Sequence, residues 1–511
     1  MKAYRKDGKI RSLDELEKIV QRLKKKNKTV VHCHGVFDLM HPGHIKHLEA
    51  AKREGDVLIV TLTQDKYVGK GPGRPVFNQH LRAESIVALE CADYVAINEW
   101  QTAVETIKKI KPDIYAKGSD YAAPETDITG EIYHEKEAIE SIGGKIHFTN
   151  ETTFSSSQLL NKFFDVYPDE SRKFLQDFRS RFSSFDVIDK LKAVRDLKIL
   201  VIGDTIIDEY HYCVPMGKSP KESIISTKYI SEERFAGGVL ACANHIAGFC
   251  DNVHLVTCLG TMDSKEGYIL DHLKSHIDSK FFYRDDACTI VKRRFVESAF
   301  LTKMFEISSL EDRPLPQAVN LAVCDYLHAV AANYDLVIVA DFGHGFIDRN
   351  IVNVLCEKAR FLAVNTQTNS ANIGFNLVTK YPRADFVCID EPEIRHAAHS
   401  KHGEIKDIIQ EIAKKLKSKK VAVTRGHLGS ITYDETGSFY EIPVFSGKVV
   451  DRVGAGDAFL SLTSPIVTLG CSMELAGFVG NAVGAIAVGI VCNRSSVEPI
   501  SLYKFITTLL K

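Results

Sequence analysis

Two stretches of the sequence combine residue types that assist phosphoryl chemistry. In the first, "GVFDLMHPGHIKHLEAA" (35–51), His41 and His44 lie three residues apart around Pro42, which suits the first position of a helix. Residues three apart share a helix face, so both imidazoles are predicted to point at whatever occupies the helix N-terminus, where phosphate is favoured. This arrangement suits in-line attack on an α-phosphate. Two surface histidines at a turn would explain the four-residue pattern alone equally well.

The second stretch is "VVDRVGAGDAF" (449–459), near the carboxyl terminus. Gly454, Ala455 and Gly456 can turn successive backbone N–H groups toward one point at the start of a helix. Asp457 can take a proton from a hydroxyl nucleophile while these N–H groups receive the transferred phosphoryl. Together they predict a phosphotransferase site. The alternative is a glycine-rich turn capped by an aspartate.

Composition limits the class of protein. A chain of 511 residues is too long for one hydrophobic core and predicts two or three domains. The formal net charge of -1 gives no support for a nucleic-acid partner. No apolar segment is long enough for a signal peptide or a spanning helix, so a cytoplasmic protein without a membrane partner is expected. Twelve cysteines stand singly, which favours reduced thiols over disulfides or a zinc site.

Short β-branched runs at 28–34, 56–63 and 93–98 alternate with helical patterns, and a fresh strand at 197–204 opens a second series. This alternation predicts an α/β protein of two doubly wound domains with parallel sheets. The predicted domains are 1–163 and 184–511, joined by a linker or connecting helix over 164–183. Binding sites in such sheets lie at the carboxyl ends of the strands.

The first stretch resembles the G-x-F-D-x-x-H-x-G-H signature of the cytidylyltransferase-like nucleotidyltransferases. The segments "DKYVGKGPGRP", "RAE", "KGSDY" and "TTFSSSQLL" match further family elements in order, and the resemblance covers about 28–163. It implies a Rossmann-like domain in which His41 and His44 stabilise the pentacoordinate α-phosphate of a nucleoside triphosphate carrying Mg²⁺. Nucleotide or phosphate contacts are implied for Gly35, Phe37, Lys70, Arg82, Lys117 and Ser156. A solvated helix arginine at 82 and a plain helix cap at 155–157 remain alternatives.

The second stretch resembles the signature of the ribokinase-like (PfkB) sugar kinases, over about 184–511. The resemblance implies that Asp457 is the base, that the N–H groups of Gly454, Ala455 and Gly456 bind phosphate, and that Asn481 touches adenine. It implies Mg²⁺ held through water by Glu393. Sugar contacts are implied for Asp204, Asp208, Gly237, Gly238 and Asn244.

Other features of this region leave alternatives open. Asp204 and Asp208 would also serve as strand-end caps. Lys292 and Arg293 either contact a phosphate already on the sugar or form a solvated strand edge. Arg452 replaces the usual Thr of the signature, and Asp390 replaces an Asn in "CIDEPEIR", which puts nucleotide contacts and kinase rate in doubt.

The pair of domains resembles the bifunctional heptose 7-phosphate kinase and heptose 1-phosphate adenylyltransferase family, with the domain order reversed. The resemblance implies an enzyme that phosphorylates a heptose-like sugar with ATP and transfers a nucleotidyl group from ATP or CTP to the sugar phosphate, releasing pyrophosphate. One alternative is a polyol-phosphate cytidylyltransferase fused to a polyol kinase. Another is an active nucleotidyltransferase with a non-catalytic kinase-like module for binding or dimerisation. A homo-oligomer, as a dimer, is expected from both families.

Overall fold

The computed structural model describes residues 8–69, 71, 74–119, 130–150, 167–447 and 449–511. The chain forms two compact units, one of Met1–Pro168 with Tyr503–Lys511 and the other of Asp169–Leu502. Each unit is described by itself below.

The first unit is built on a five-stranded sheet with the order β3-β2-β1-β4-β5, and every pairing is parallel. Its strands are β1 Val30–Gly35, β2 Val57–Leu62, β3 Tyr94–Ile97, β4 Ile114–Gly118 and β5 Lys145–Thr149. Its helices are α1 Leu13–Lys24, α2 Pro42–Arg53, α3 Gln79–Val87, α4 Val104–Ile110 and α5 Glu131–Ser141. The strand order reverses at β1, which confirms the predicted doubly wound fold.

Local sequence explains why these elements form. Helix α1 begins after Ser12, whose hydroxyl accepts from the Glu15 N–H while the Glu15 carboxylate accepts from the Ser12 N–H. Three apolar residues on one face of α1, Leu13, Leu16 and Val20, are buried. The first four residues of the central strand β1 are all buried, as expected for a strand covered on both faces.

The second unit is built on a nine-stranded sheet with the order β10-β9-β6-β13-β14-β15-β16-β17-β18. Its pairings are parallel except for those of β16 with β17 and β17 with β18. The strands are β6 Lys198–Gly203, β9 Asn252–Gly260, β10 Asp278–Arg284, β13 Leu336–Asp341, β14 Leu362–Thr366, β15 Phe386–Asp390, β16 Lys420–Thr424, β17 Ser430–Tyr433 and β18 Phe439–Ile442. This sheet confirms the predicted α/β class of the second domain.

Helices flank the strands of this second unit. They are α6 Asp169–Arg179, α7 Ser184–Ala193, α8 Val239–Ala247, α9 Glu266–His272, α10 Gln317–Val330, α11 Arg349–Lys358, α12 Glu391–Ala397, α13 Ile405–Lys415, α14 Ala455–Thr468 and α15 Met473–Ala487; the last helix of the chain is α16 Pro499–Leu509. Most residues of the apolar, glycine-containing helix α15 are buried.

A four-stranded sheet that the sequence did not predict adjoins the large one. Its order is β12-β11-β7-β8, with β7 Thr205–Lys218, β8 Ile225–Gly238, β11 Ile290–Glu297 and β12 Lys303–Ser309. Strand β7 begins two residues after β6 ends, so the small sheet starts at the carboxyl edge of the large one, where ligands bind in α/β folds.

The unit boundaries differ from the predicted domains. Helix α6 lies within the predicted linker, yet it groups with the second unit, as does α7, which lies in the predicted second domain. Phe178 on α6 stacks on Phe478 of α15 at 4.3 Å between ring centroids, and this apolar contact explains the grouping. Residues 164–166 of the linker lie outside the described part of the chain.

Two further predictions bear on the whole chain. All twelve cysteines are free thiols, and seven of them are buried. Within the described residues, no helix combines the length and apolar character needed to cross a membrane.

Three histidines of the first unit are held neutral by burial. His32 hydrogen-bonds Thr61 Oγ1 through Nε2 at 2.7 Å, and His34 reaches the same hydroxyl through Nδ1 at 2.9 Å. Burial and the nearby Lys117 charge lower the pKa of His32 to about 3 and that of His47 to about 4. The same causes lower the pKa of His34 well below its usual range.

These pKa values predict acid sensitivity of the first unit. The unfolded chain takes up protons at His32, His34 and His47 below about pH 6.5, whereas the folded unit does not. Above pH 6.5 these histidines therefore do not lower the free energy of unfolding. Below that pH, each one lowers it by up to about 1.4 kcal/mol per pH unit. Fluorescence of Trp100, the single tryptophan and part of this unit, should report a lower Tm at pH 5.5 than at pH 7.5.

Two variants check the cause. His32→Asn removes one proton-uptake site and should flatten the dependence of Tm on pH. His134→Asn, at an exposed position on α5, should leave that dependence unchanged. Equal Tm values for the unmodified chain at the two pH values would contradict the assignment.

Candidate active sites

The N-terminus of α14 forms an anion-binding corner in a cavity of about 530 Å³. Gly454 precedes the helix with φ +85°, and a Cβ there would lie 2.1 Å from Asn493 Oδ1, so only glycine fits. The N–H groups of Gly456 and Asp457 have no hydrogen-bond partner within the described residues. Gly454, Ala455, Gly456 and Asp457 all line the cavity. Free N–H groups at a helix N-terminus favour a phosphoryl group.

The side chain of Asp457 combines partial burial with a nearby negative charge. Burial raises its pKa to about 7, the Asp208 carboxylate adds to the increase, and the Lys292 ammonium opposes it. A carboxyl group that titrates near neutral pH is well matched to general-base catalysis. The cavity therefore places a base beside the N–H groups that would receive a phosphoryl.

Alternate residues of β11 contribute two cations to the same cavity. Lys292 and Arg294 both line it, as expected for residues two apart on a strand, whereas Arg293 pairs with Glu209 at 2.8 Å. Lys292 is buried and lies within 4 Å of no carboxylate in the described part of the chain. The sequence analysis singled out Lys292 and Arg293, whereas the two-residue period of a strand pairs Lys292 with Arg294 at the cavity; a phosphate contact of Lys292 stays a prediction.

Asp208 is the predicted sugar ligand that reaches this cavity. Its carboxylate forms an ion pair with Arg294, which also pairs with Glu306 at 2.8 Å. A Cβ at position 237 would lie 2.0 Å from Asp208 Oδ2, so Gly237 leaves the room that this carboxylate occupies. Gly238 lines the cavity beside it.

A second buried carboxylate, Asp451, fixes the loop that leads into α14. It accepts from Tyr210 Oη at 2.8 Å, from Lys303 Nζ at 2.6 Å and from the N–H groups of Val453 and Cys492 at 3.1 Å. Burial alone would raise its pKa, but Lys303 and the other donors hold the pKa below the usual range. The carboxylate is thus charged and fully engaged.

In the first unit, the two motif histidines meet at the start of α2. His41 is the N-cap, and its Nδ1 accepts from the His44 N–H at 3.4 Å, so the neutral ring carries its proton on Nε2. The two rings stack with centroids 3.8 Å apart. Both imidazoles therefore stand at the helix N-terminus, as predicted from their spacing.

Phe37 and Gly35 shape the turn between β1 and α2. Phe37 has φ +48°, a left-handed conformation that is rare for a bulky residue, and its ring meets the edge of His44 at 5.2 Å. The Gly35 carbonyl accepts from the Thr63 N–H at 3.1 Å. Unusual backbone conformations of this kind concentrate at functional sites.

The sequence model of the pfkB family carbohydrate kinases matches residues 196–496, more than half of the chain. The chain belongs to this family. The cytidylyltransferase-like model matches residues 32–190, which lie before the pfkB region. The two predicted regions and their order along the chain are thereby confirmed.

Curated relatives match the amino-terminal part of this pfkB family member. A bifunctional protein HldE from Syntrophotalea carbinolica is 37% identical over 164 residues, which cover 32% of this chain and 32% of the relative. A bifunctional protein HldE from Sulfurimonas denitrificans is 43% identical over 141 residues, covering 27% and 29% of the two chains. The matched region thus spans about a third of the length of these relatives.

Solved structures resemble the pfkB part. Phosphofructokinase-2 from Escherichia coli in complex with substrates and products has a TM-score of 0.51 and 12% identity, covering 62% of this chain and all of that one. The same enzyme in complex with potassium has a TM-score of 0.50 and 13% identity, covering 61% and 99%. At this identity the likeness shows the fold alone.

Glu393 and Asp390 of the pfkB unit form a helix cap at the cavity wall. Glu393 accepts from the N–H groups of Thr368 at 2.9 Å and Asp390 at 2.8 Å, while Asp390 accepts from the Glu393 N–H at 2.8 Å. Burial and the neighbouring Asp390 raise the pKa of Glu393. Among the described residues, no group of three His, Cys, Asp or Glu side chains is arranged to hold a metal ion.

Asn481 lines the cavity, but its amide is used by the protein. It accepts from Ser430 Oγ at 2.9 Å and donates to the carbonyls of Ile442 and Pro443 at 2.8 Å. The predicted adenine contact of Asn481 stays a prediction, since the residue lines the cavity while its amide is held by the protein. Asn481 ties α15 to β17 and to the end of β18.

Three predicted sugar contacts of the pfkB unit do not line the large cavity, namely Asp204, Gly237 and Asn244. The Asn244 amide donates to the His272 carbonyl at 2.8 Å and accepts from the Lys274 N–H at 3.0 Å, which gives it a structural role in place of the predicted sugar contact. Asp204 instead lines a small neighbouring recess. Its Oδ2 accepts from the Phe342 N–H at 3.0 Å.

Arg82 and Lys117 in the first unit have protein partners. The Arg82 side chain is fully buried and donates to the carbonyls of Phe77, Val36 and Thr63 and to Asp65. This gives Arg82 a structural role in place of the predicted phosphate contact. Lys117 pairs with the buried Glu135 at 2.8 Å, so a phosphate would have to compete with that carboxylate. Lys70 and Ser156 lie outside the described residues, and their roles stay predictions.

The structural role of Arg82 can be tested by substitution. Arg82→Lys removes the planar set of donors and leaves buried carbonyls and Asp65 unsatisfied, so the amino-terminal unit should lose about 3 kcal/mol of unfolding free energy. Denaturant titration followed by Trp100 fluorescence measures this loss. Arg53→Lys, at an exposed position, is the matched control and should be neutral. Unchanged stability of Arg82→Lys, with weakened nucleotide binding, would restore the phosphate assignment.

Proposed function

We propose that the chain is a bifunctional enzyme of nucleotide-activated sugar synthesis. The observation that carries the proposal is the cavity in which Asp457, with its pKa near 7, stands beside free N–H groups and the buried Lys292. Membership of the pfkB family supports the kinase half, and the stacked histidines at the start of α2 support the transferase half.

In the kinase step, the Asp457 carboxylate accepts the proton of a sugar hydroxyl. The hydroxyl oxygen forms a bond to the γ-phosphorus of ATP, the bond to the β-phosphate oxygen breaks, and ADP leaves. The N–H groups of Gly456 and Asp457 stabilise the phosphoryl oxygens, and the Lys292 ammonium balances their charge. Asp208 would orient the acceptor through the carboxylate that Arg294 holds in place.

Mg²⁺ bound with the nucleotide would neutralise phosphate charge. Glu393 lines the cavity and each of its oxygens keeps a lone pair beyond the N–H it accepts, so it fits the predicted contact through water.

In the transferase step, a sugar-phosphate oxygen attacks the α-phosphorus of ATP or CTP, and pyrophosphate leaves. His41 and His44 would donate hydrogen bonds to the α-phosphate as charge develops on it. The start of α2 adds its N–H groups and dipole. Gly35 and Phe37 would shape the approach of the nucleotide.

A heptose-like acceptor is supported by relatives whose name is bifunctional protein HldE. A polyol-phosphate cytidylyltransferase fused to a polyol kinase is the alternative substrate assignment. The non-catalytic kinase-like module is disfavoured because Asp390 only caps α12. The N–H groups of Gly456 and Asp457 also stay free within the described part of the chain, although the Arg452 carbonyl accepts from the Ala455 N–H. A homodimer remains a prediction from both families.

Product analysis tests the overall function. The purified chain is incubated with Mg²⁺, ATP, CTP and a panel of heptose, hexose and polyol phosphates, and products are identified by mass spectrometry. A nucleotide sugar from one acceptor would establish the base and the sugar class together. Absence of both ADP formation and pyrophosphate release with every acceptor would refute the proposal.

The independence of the two sites gives a first prediction. His44→Ala should abolish pyrophosphate release, because it removes a donor to the α-phosphate, while ADP formation stays within about twofold of the unmodified chain. Coupled assays for pyrophosphate and ADP measure the two activities separately. Equal loss of both would contradict separate sites.

The pKa of Asp457 gives a second prediction. Because the base must be ionised, kcat for ADP formation should rise with pH and level off above about pH 7. Asp457→Asn should lower kcat at least about 10³-fold and leave pyrophosphate release unchanged. Asp271→Asn, on the exposed face of α9, is the control. Phosphorylation retained by Asp457→Asn would exclude its role as base.

A further inference from the structure

Residues 503–511, which include most of α16, belong to the amino-terminal unit. In the chain they come after the pfkB region, which the family model matches up to residue 496. The side chains of Phe505, Ile506, Thr508 and Leu509 are each at most 3% exposed. Burial of this extent makes the segment a component of the fold of that unit.

The segment contacts the loop that joins β2 to α3. A Cβ at Gly71 would lie 2.5 Å from Cε2 of Phe505, so the backbone of the loop lies directly against the aromatic ring. The φ of +99° at Gly71 also favours glycine there. Gly71 follows Lys70, the residue for which the sequence predicts a phosphate contact. The ring of Phe505 therefore supports the backbone next to a predicted phosphate-binding position.

The other end of this loop is tied to the turn between β1 and α2. Asp38 Oδ1 accepts from the N–H of Val76 at 2.7 Å and from that of Phe77 at 3.3 Å. Asp38 is buried and lies three residues before His41, the N-cap of α2. The loop is thus held by α16 at Gly71 and by the histidine turn at residues 76 and 77.

Lys504 brings a positive charge to the same unit. It is half-buried and precedes Phe505 on α16. Burial, followed by Lys117, His32 and Lys504, lowers the pKa of His34 well below its usual range. His34 comes directly before Gly35 at the carboxyl end of β1. The Lys504 ammonium therefore acts on the edge of the sheet where ligands bind in this fold.

A cation at this edge suits the substrates of nucleotidyl transfer. A nucleoside triphosphate and a sugar phosphate bring several negative charges together, and their repulsion opposes attack unless positive charges balance it. Lys117 is already paired with Glu135 at 2.8 Å, and Arg82 is enclosed by backbone carbonyls. An ammonium group on a flexible stem is well suited to bind phosphate as a point charge.

We propose that residues 503–511 complete the nucleotidyltransferase site, with Lys504 binding a phosphate group of a substrate and Phe505 positioning the loop at Gly71. The inference rests on the proposed transferase function. It assigns part of the site to a segment outside residues 32–190, which the cytidylyltransferase-like model matches. Nucleotidyl transfer then requires residues from both sides of the pfkB region in the chain.

The charge of Lys504 is tested by kinetics of pyrophosphate release with the acceptor found in the product analysis. Lys504→Gln should lower kcat/KM at least about tenfold, whereas Lys504→Arg keeps the charge and should stay within about threefold of the unmodified chain. A higher KM for the nucleoside triphosphate assigns the contact to the triphosphate, and a higher KM for the sugar phosphate assigns it to the acceptor. Lys511→Gln, at an exposed position in the same segment, is the matched control.

The positioning role of Phe505 is tested by Phe505→Leu, which keeps an apolar side chain but removes the ring from Gly71. The KM for the nucleoside triphosphate should rise at least about fivefold, while ADP formation stays within about twofold of the unmodified chain. Ile506→Val, at the buried neighbouring position, controls for lost packing and should leave this KM unchanged. A lower Tm of Phe505→Leu with an unchanged KM would contradict the positioning role.

The Lys504 variants decide the case in which Phe505→Leu does not fold. In a chain that releases pyrophosphate, the inference is overturned if Lys504→Gln leaves kcat/KM unchanged for both substrates. Equal losses in Lys504→Gln and Lys504→Arg would also overturn it, because a phosphate contact depends on the charge that arginine retains. An unmodified chain that releases no pyrophosphate with any acceptor refutes the transferase function itself.

Discussion

The carboxylate of Asp451 is the constraint on which the kinase site depends. A buried charge is tolerated only when surrounding donors replace its hydration, and hydrogen bonds to charged groups contribute about 1.5–3 kcal/mol each. Here the donors come from β7, from β12 and from the loops beside α14 and α15. The small sheet and the loop that leads into α14 are therefore anchored to a single group. Movement of either one would leave a buried charge partly unsatisfied.

In both units a helix N-terminus follows a glycine-containing turn, an arrangement that favours a phosphoryl group. In the kinase unit the assisting side chain is a carboxylate with a raised pKa, which suits removal of a hydroxyl proton. In the amino-terminal unit it is a pair of imidazoles, which suits donation to an attacked phosphate whose nucleophile needs no base. The chemistry thus differs through the residue types placed beside similar backbone geometry.

The features that could be predicted from the sequence are those that depend on residues close together in the chain. The strand and helix alternation gave the parallel sheets, and the spacing of His41 and His44 placed both rings at the start of α2. The prediction failed for side chains whose partners are distant in the sequence. Arg82 carries the chemistry of a phosphate ligand, yet carbonyls from three separate segments surround it.

The same limitation applies elsewhere in the chain. The amides of Asn244 and Asn481 bond to backbone atoms about 30 and 40 residues away, which no local motif reveals. The small sheet was missed because β7 follows β6 almost without a break and pairs with β11, which comes much later in the chain. Phe505 has no recognisable motif around it, and only its packing against Gly71 relates it to the amino-terminal unit.

The left-handed backbone at Phe37 implies that some stability of the fold is given up for the order of the neighbouring His44 side chain. A bulky residue in that region costs about 1–3 kcal/mol, whereas glycine would adopt it freely. Glycine, however, would remove the ring that packs against His44. Laboratory selection for heat resistance alone should therefore favour loss of this aromatic side chain, and the gain would come at the expense of an ordered imidazole.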